Sequence, residues 1–153
     1  GVVLLACGFG TSHARGCVLT VENPGIIGDH NVAGYWAIGA GADQAIASLI
    51  ARNHGPHVDT SQTVYNVLEA KFSAECVFGV GRESLLMVLS RDGEIIGLSA
   101  DNINTLRTEW ERIGRPRPLS KKSYQMISAS LDRSRKEQGS QSSSETSSSR
   151  DQT

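Results

Sequence analysis

Net charge of either sign is what this sequence most plainly lacks. Fifteen Lys and Arg stand against 16 Asp and Glu, leaving −1. Without a large field, there is no general attraction to nucleic acid or to an anionic membrane. No apolar run approaches the roughly 18 residues of a membrane span. The opening Val2–Cys7 run is too short, and its flanks do not suit a signal peptide. Cysteine is scarce: Cys7, Cys17 and Cys76 are the only three. An odd number at wide spacing argues against a disulfide framework or a zinc knuckle, so buried free thiols in a reducing cytoplasm are expected. There is no internal repeat. There is also no initiator Met: the chain starts at Gly1, inside an apolar run, and truncation is the simplest expectation.

Much of the 153-residue chain is nevertheless patterned for a core. The foldable part is about 115–120 residues, enough for one modest domain. Val2–Cys7 reads as a buried strand ended by Gly8 and Gly10. Cys17–Val21 reads as a second strand, closed by the turn signal Asn23-Pro24-Gly25. Tyr35–Ile38 reads as a third, ended by Gly39-Ala40-Gly41. Ala42, Ala45, Ile46, Leu49 and Ile50 then fall on one helical face. That helix stops near Asn53-His54-Gly55-Pro56. A second helix is expected with Thr60 or Ser61 as its cap and a stripe of Val64, Val67, Leu68 and Phe72, ending near Glu75-Cys76. Arg91-Asp92-Gly93 between Leu85–Leu89 and Glu94–Leu98 is a hairpin signal. A last helix, starting at Ser99 to Asp101, places Ile103, Leu106, Trp110 and Ile113 on one face. Past Ser120 the periodicity fades, with Tyr124, Ile127 and Leu131 marking at most a turn or two. From about Arg133 the chain is Ser, Gln and charge, a composition that does not offset its ordering entropy. The expected division is a domain over 1–118 and a largely disordered Ser-rich tail over 119–153.

The order strand, strand, strand, helix, helix, strand, strand, helix suits a layered α+β arrangement. Particular residues go further. Gly34-Tyr35-Trp36-Ala37-Ile38-Gly39-Ala40-Gly41-Ala42-Asp43-Gln44-Ala45 is similar to a segment of proteasome subunits and their bacterial relatives. There, a strand with an Ala-Ile-Gly-Ser-Gly-like end runs into an Ala-rich helix. Val3-Leu4-Leu5-Ala6-Cys7-Gly8-Phe9 resembles the family strand ending in a Gly-aromatic pair. Val18-Leu19-Thr20-Val21-Glu22-Asn23-Pro24-Gly25 resembles the strand and turn that follow. The resemblance extends over roughly residues 2–113. A dinucleotide loop is the competing source of Gly-x-Gly, but its third glycine position holds Gln44 and no βαβ unit surrounds it.

The resemblance implies the four-layer αββα sandwich of N-terminal-nucleophile (Ntn) hydrolases, present here as its second half. It implies a threonine-type peptidase acting on unfolded protein or peptide, in homo-oligomeric rings, with room for an ATPase partner and no metal or cofactor. In that family an N-terminal Thr attacks, its own α-amino group serves as base, and a Lys of the same N-terminal half assists. An α-amino group titrating near about 8 is competent for this. None of those residues is expected in this chain. Gly10-Thr11 has the right dipeptide for self-cleavage, but Ser12–Gly16 does not read as a strand, and Asp43 stands where a Lys is needed. The supporting candidates are therefore Gly39, Ala40, Gly41, Glu75 and Gly79. Ala40 replaces the serine that helps hold the catalytic amine, and a methyl makes no hydrogen bond. That departure keeps a second reading open, a non-catalytic subunit of the same fold acting in assembly. A third is an unrelated α+β domain. A chain without the opposing sheet is expected to fold poorly or aggregate.

Other constellations read as ordinary surface. His13, His30, His54 and His57 are expected to be solvated loop residues, since the Pro56 loop does not hold two of them on one helical face. Lys71 and Glu75 suit an i, i+4 pair. Arg107, Glu109, Glu111 and Arg112 are expected on the solvated face of the last helix, with Trp110 in the core. Arg115–Pro118 reads as an extended linker.

Overall fold

Apolar strand segments and the Asn23-Pro24-Gly25 turn build the first sheet. Strands β1 (Val3–Phe9), β2 (Gly16–Glu22) and β3 (Ile26–Asp29) pair antiparallel in the order β1-β2-β3. This is a computed structural model, and it describes residues 1–10, 16–115 and 120–148, the stretch 135–148 as backbone only. The register sets Leu5 opposite Thr20 and Thr20 opposite Gly28. The two-residue period therefore puts Leu5, Val18 and Thr20 on one face and Leu4, Leu19, Val21 and Ile27 on the other. Thr20 on the first face is 2% exposed, whereas Leu4 and Ile27 on the second are 59% and 68% exposed.

The third strand is not where the apolar run Tyr35–Ile38 suggested. Asn23-Pro24-Gly25, with a cis bond at Asn23-Pro24 and Gly25 N–H donating to the Glu22 carbonyl at 2.6 Å, turns the chain back at once. Ile26 and Ile27 thus take the place beside β2, and Tyr35–Ile38 runs as irregular chain toward the next helix.

Helix α1 (Ala42–Ala51) and helix α2 (Thr60–Ala74) form a helical hairpin. Leu49 is the buried residue of α1; Ile50, expected on the same face, is 62% exposed. Past the α1 C-cap, Asn53 sits at φ 49, a left-handed stop that Asn tolerates. The cap of α2 is Asp59, not Thr60 or Ser61: its Oδ1 accepts from Gln62 N–H at 3.0 Å. A carboxylate one position upstream suits the helix dipole better than a hydroxyl.

Strands β4 (Met87–Leu89) and β5 (Ile95–Gly97) make the hairpin announced by Asp92-Gly93. Helix α3 (Ala100–Glu109) is capped by Ser99, whose Oγ accepts from Asn102 N–H at 3.2 Å, and runs into a π-helical turn, Trp110–Gly114. The core is Leu68, Phe72, Ile103 and Trp110, with Val64, Leu86, Leu98 and Leu106 packed against it. Each such buried side chain contributes about 1.5–3 kcal/mol. Phe72 and Trp110 meet at 5.5 Å between ring centroids. The wider π turn breaks the 3.6-residue period after Trp110. Ile113, expected on the core face, is consequently 56% exposed.

The thiols are free but not all buried as expected: Cys7 and Cys76 are exposed. These elements form one unit, Gly1–Arg115, of mixed α+β class. Residues 116–153 form a second unit. Its described residues carry a helix, α4 (Lys121–Ser148). Ser120 Oγ accepts from Ser123 N–H at 3.1 Å at its start, and no proline follows Pro118 to interrupt it. Tyr124, Met126, Ile127 and Leu131 on it are all exposed. No helix is long and apolar enough to cross a membrane among the described residues.

Candidate functional site

Two glycine-rich turns meet at the head of the α1–α2 hairpin. The first, Gly39-Ala40-Gly41, leads into α1, with Ala42 N–H donating to the Gly39 carbonyl at 3.1 Å and Ala45 N–H to the Gly41 carbonyl at 3.0 Å. The second leaves α2 through Glu75 to Gly81, with Val80 N–H donating to the Val77 carbonyl at 3.2 Å. A Cβ at Gly41 would stand 2.9 Å from both Ala74 Cβ and Val80 Cγ2. Only hydrogen fits there, so the glycine is a packing requirement. Gly79 has φ +90, a backbone that favours glycine, and a Cβ there would lie 3.9 Å from Ala40 Cβ. Three of the candidates, Ala40, Gly41 and Gly79, are thus brought together. Gly39 faces open space.

Below these turns lies a cleft of about 700 Å³, walled by Leu5 of β1, Trp36, Ile38, Leu49, Val67 and Leu85 among others. Its polar groups are few. Lys71 lines it, but Lys71 Nζ donates to Glu75 Oε1 at 2.8 Å and to the Gly81 carbonyl at 2.7 Å. Ser84 also lines it, with a buried Oγ that has no hydrogen-bond partner. Ala40 presents a methyl. The cleft can accept an apolar chain, and its one ammonium is engaged.

Glu75, the fifth candidate, is a strut rather than a free acid. Arg107 donates to both its oxygens at 2.7 Å, and Arg82 Nε stands at 3.9 Å. Burial pushes the Glu75 carboxyl up, but the hydrogen bonds and charges of Arg107 and Lys71 outweigh it and hold the group below its ordinary value. Arg107 is held protonated by the same contact. Its guanidinium carbon also lies 4.1 Å from the Phe72 ring centroid. With its side chain 13% exposed, Arg107 does not belong to a solvated face as expected. Glu69 of α2, 7% exposed, is paired in the same way: Arg52 donates to it through Nε at 2.8 Å and Nη2 at 2.7 Å.

His30 and His54 depart from expectation too, while His57 is an exposed loop residue as expected. The His30 ring stacks on Trp36 at 3.8 Å, and its Nε2 is 3.0 Å from Thr20 Oγ1. Asn66, 2% exposed, donates through Nδ2 to His54 Nδ1 at 3.2 Å. Burial, with the nearby charge of His57, lowers the His54 pKa. Local spacing carried no signal for these contacts: Arg107 and Glu75 are 32 residues apart. The expectations for Thr11, His13 and Pro116–Pro118 fall outside the described residues. Among those described, no group of His, Cys, Asp and Glu could hold a metal. Compared with known proteins, the chain matches no protein-family model, no curated protein and no solved structure.

Proposed function

We propose that this chain is the C-terminal half of a proteasome-type Ntn-hydrolase subunit, built as part of an αββα sandwich and serving intracellular protein degradation. In this reading it forms one wall of a threonine-type peptidase site whose nucleophile and Lys are carried on other polypeptide, in a homo-oligomer that acts on unfolded protein or peptide. The observation that carries it is the junction of the Gly39–Gly41 turn with the Ala74–Val80 turn, closed to a Cβ at 2.9 Å, at the head of an apolar cleft. Element order and the uncovered apolar face of Leu4 and Ile27 support it as well, since that face suits a second sheet.

A second reading is a non-catalytic subunit of the same fold that acts in assembly. It is favoured by the methyl of Ala40 and by the ion pairs that occupy Lys71 and Glu75. The test is to purify the assembly that carries this chain and supply an unfolded protein together with a probe that acylates N-terminal hydroxyl nucleophiles. Hydrolysis, with the label on an N-terminal Thr outside this sequence, supports the peptidase. A ring-sized particle with neither label nor hydrolysis supports the assembly subunit. A particle smaller than a ring, without hydrolysis, overturns both.

A further inference from the structure

A second cleft, of about 540 Å³, opens where the 82–84 segment meets α3, and its chemistry is opposite to that of the apolar one. Arg82, Ser84, Asn104 and Arg107 supply its polar groups, with Glu83 on the same lining. Ala100 and Ile103 supply an apolar wall. We propose that this cleft binds the carboxylate of a peptide, carried on an apolar residue.

The charge balance around Glu75 is the first argument. One carboxylate faces three cations: Arg107 at 2.7 Å, Lys71 at 2.8 Å and Arg82 at 3.9 Å. Glu83 on the lining and Glu111, whose charge acts on Arg107, bring the local sum to neutral, so what the cleft offers an anion is the Arg82 guanidinium, which is not hydrogen-bonded to Glu75. Rigidity is the second. Arg107 is fixed by two bonds to Glu75, by Nη2 donating to the Arg82 carbonyl at 3.0 Å, and by the Phe72 ring. Its position is therefore set before any ligand arrives, which lowers the ordering entropy of binding. Arg82 differs: its side chain is 76% exposed and stands beyond hydrogen-bond distance of Glu75. Its planar fork matches a two-oxygen anion, in the manner of Arg–carboxylate pairs. The third argument is Ser84, whose buried hydroxyl finds no partner in the protein and lies on this lining. A buried polar group in that condition is destabilising until something pairs with it. Ala100 and Ile103 separate a peptide carboxylate from an inorganic oxyanion, because phosphate gains nothing from an apolar wall. Ser84 and Glu83 lie on the wall shared with the apolar cleft, but Arg82, Asn104 and Arg107, which would take the carboxylate, line only this one of the two, so the inference does not depend on the peptidase reading.

The test is an NMR titration of the full chain, in the assembly it adopts, with N-acetyl-Ala-Leu as free acid, with its C-terminal amide, and with inorganic phosphate. The free acid is expected to bind saturably, to shift the Asn104 side-chain amide, and to weaken as salt rises. Arg82→Gln and Asn104→Asp are each expected to weaken it by about tenfold, the scale of one charge-assisted contact. Arg82→Gln should melt as the parent does, so a lost fold is not mistaken for a lost site. Equal binding of the amide, or Arg82→Gln without effect, would overturn the assignment. Phosphate binding as tightly as the free acid would also overturn it, by giving the cleft to inorganic oxyanions.

Discussion

Glu75→Gln tests the strut with the smallest change of shape. Glutamine fills the same volume and still offers one acceptor oxygen, but it removes the anion that stands between Lys71, Arg82 and Arg107. In the parent, Glu75 takes two bonds of 2.7 Å from Arg107 and one of 2.8 Å from Lys71, with its side chain only 10% exposed. Charge-assisted bonds contribute about 1.5–3 kcal/mol each, and breaking a fully buried pair costs about 3–5 kcal/mol. Some exposure at Lys71 and the surviving amide oxygen bring the expected loss to about 2–3 kcal/mol. At about 4 °C per kcal/mol for a domain of this size, the melting temperature should fall by about 8–12 °C. The pH dependence carries a sign. The folded-state pKa of Glu75 lies below its ordinary value of 4.5, so the unfolded chain binds the proton more readily. Its contribution is complete above the ordinary value and is lost as pH falls through the lowered one. Glutamine does not titrate, so the gap between the two proteins should be widest at neutral pH and close in acid. Thermal melts of both, at steps from neutral pH down through the carboxylate range, read this directly. Equal melting temperatures at neutral pH, or a gap that persists in acid, would refute the reasoning.

Four further outcomes are expected. Gly41→Ala forces a methyl to within 2.9 Å of Ala74 and Val80, and should cost about 1–3 kcal/mol in a urea titration. Arg52→Met strands the buried Glu69 and should cost about 1.5–3 kcal/mol, discounted because Arg52 is 39% exposed, while adding Glu69→Met should restore most of it. His54 favours its neutral ring in the fold, so its contribution is present above the ordinary 6.5 and lost as pH falls through its lowered value; NMR titration should find that value, and His54→Gln should flatten stability across the same window. Leu4→Lys with Ile27→Lys, at positions 59% and 68% exposed, should leave the helical CD signal intact but reduce self-association of the free chain by light scattering.

Local signals carried most of the elements and few of the contacts. The Asp92-Gly93 hairpin, both helices of the α1–α2 hairpin and the Ser99 start of α3 were legible because each depends on residues within a few positions of one another. The third strand was misplaced because two apolar runs, Ile26–Ile27 and Tyr35–Ile38, competed, and the tight Asn23-Pro24-Gly25 turn decided for the nearer. Ile113 left the core face because a π turn intervened, a change of register that an apolar stripe does not encode. In the candidate site the resemblance points to Gly39, Ala40, Gly41, Glu75 and Gly79, of which Ala40, Gly41 and Gly79 meet. Arg107 was placed in solvent because a helix face bearing Arg107, Glu109, Glu111 and Arg112 looks uniformly charged. Its partner Glu75 caps the C-terminus of another helix, beyond the reach of any i, i+4 rule.

Glu75 also joins the two clefts. Its Oε1 takes Lys71 Nζ, which lines the apolar cleft, and Arg107 Nη2; its Oε2 takes Arg107 Nη1, which lines the basic one. A residue chosen as support for chemistry therefore has a different part here, that of fixing a cation on each side of the α2 C-terminus. The arrangement bears on the choice between peptidase and assembly subunit. A wall that assists a nucleophile needs an acceptor free to turn toward it, and Glu75 has both oxygens engaged. Under the proposed peptidase reading, any catalytic help from this chain would then come from backbone groups at the Gly39–Gly41 turn, where Gly39 and Ala40 are exposed residues although the Gly39 carbonyl already accepts from Ala42 N–H. Backbone help of that kind survives the loss of a serine at Ala40, whereas side-chain help does not.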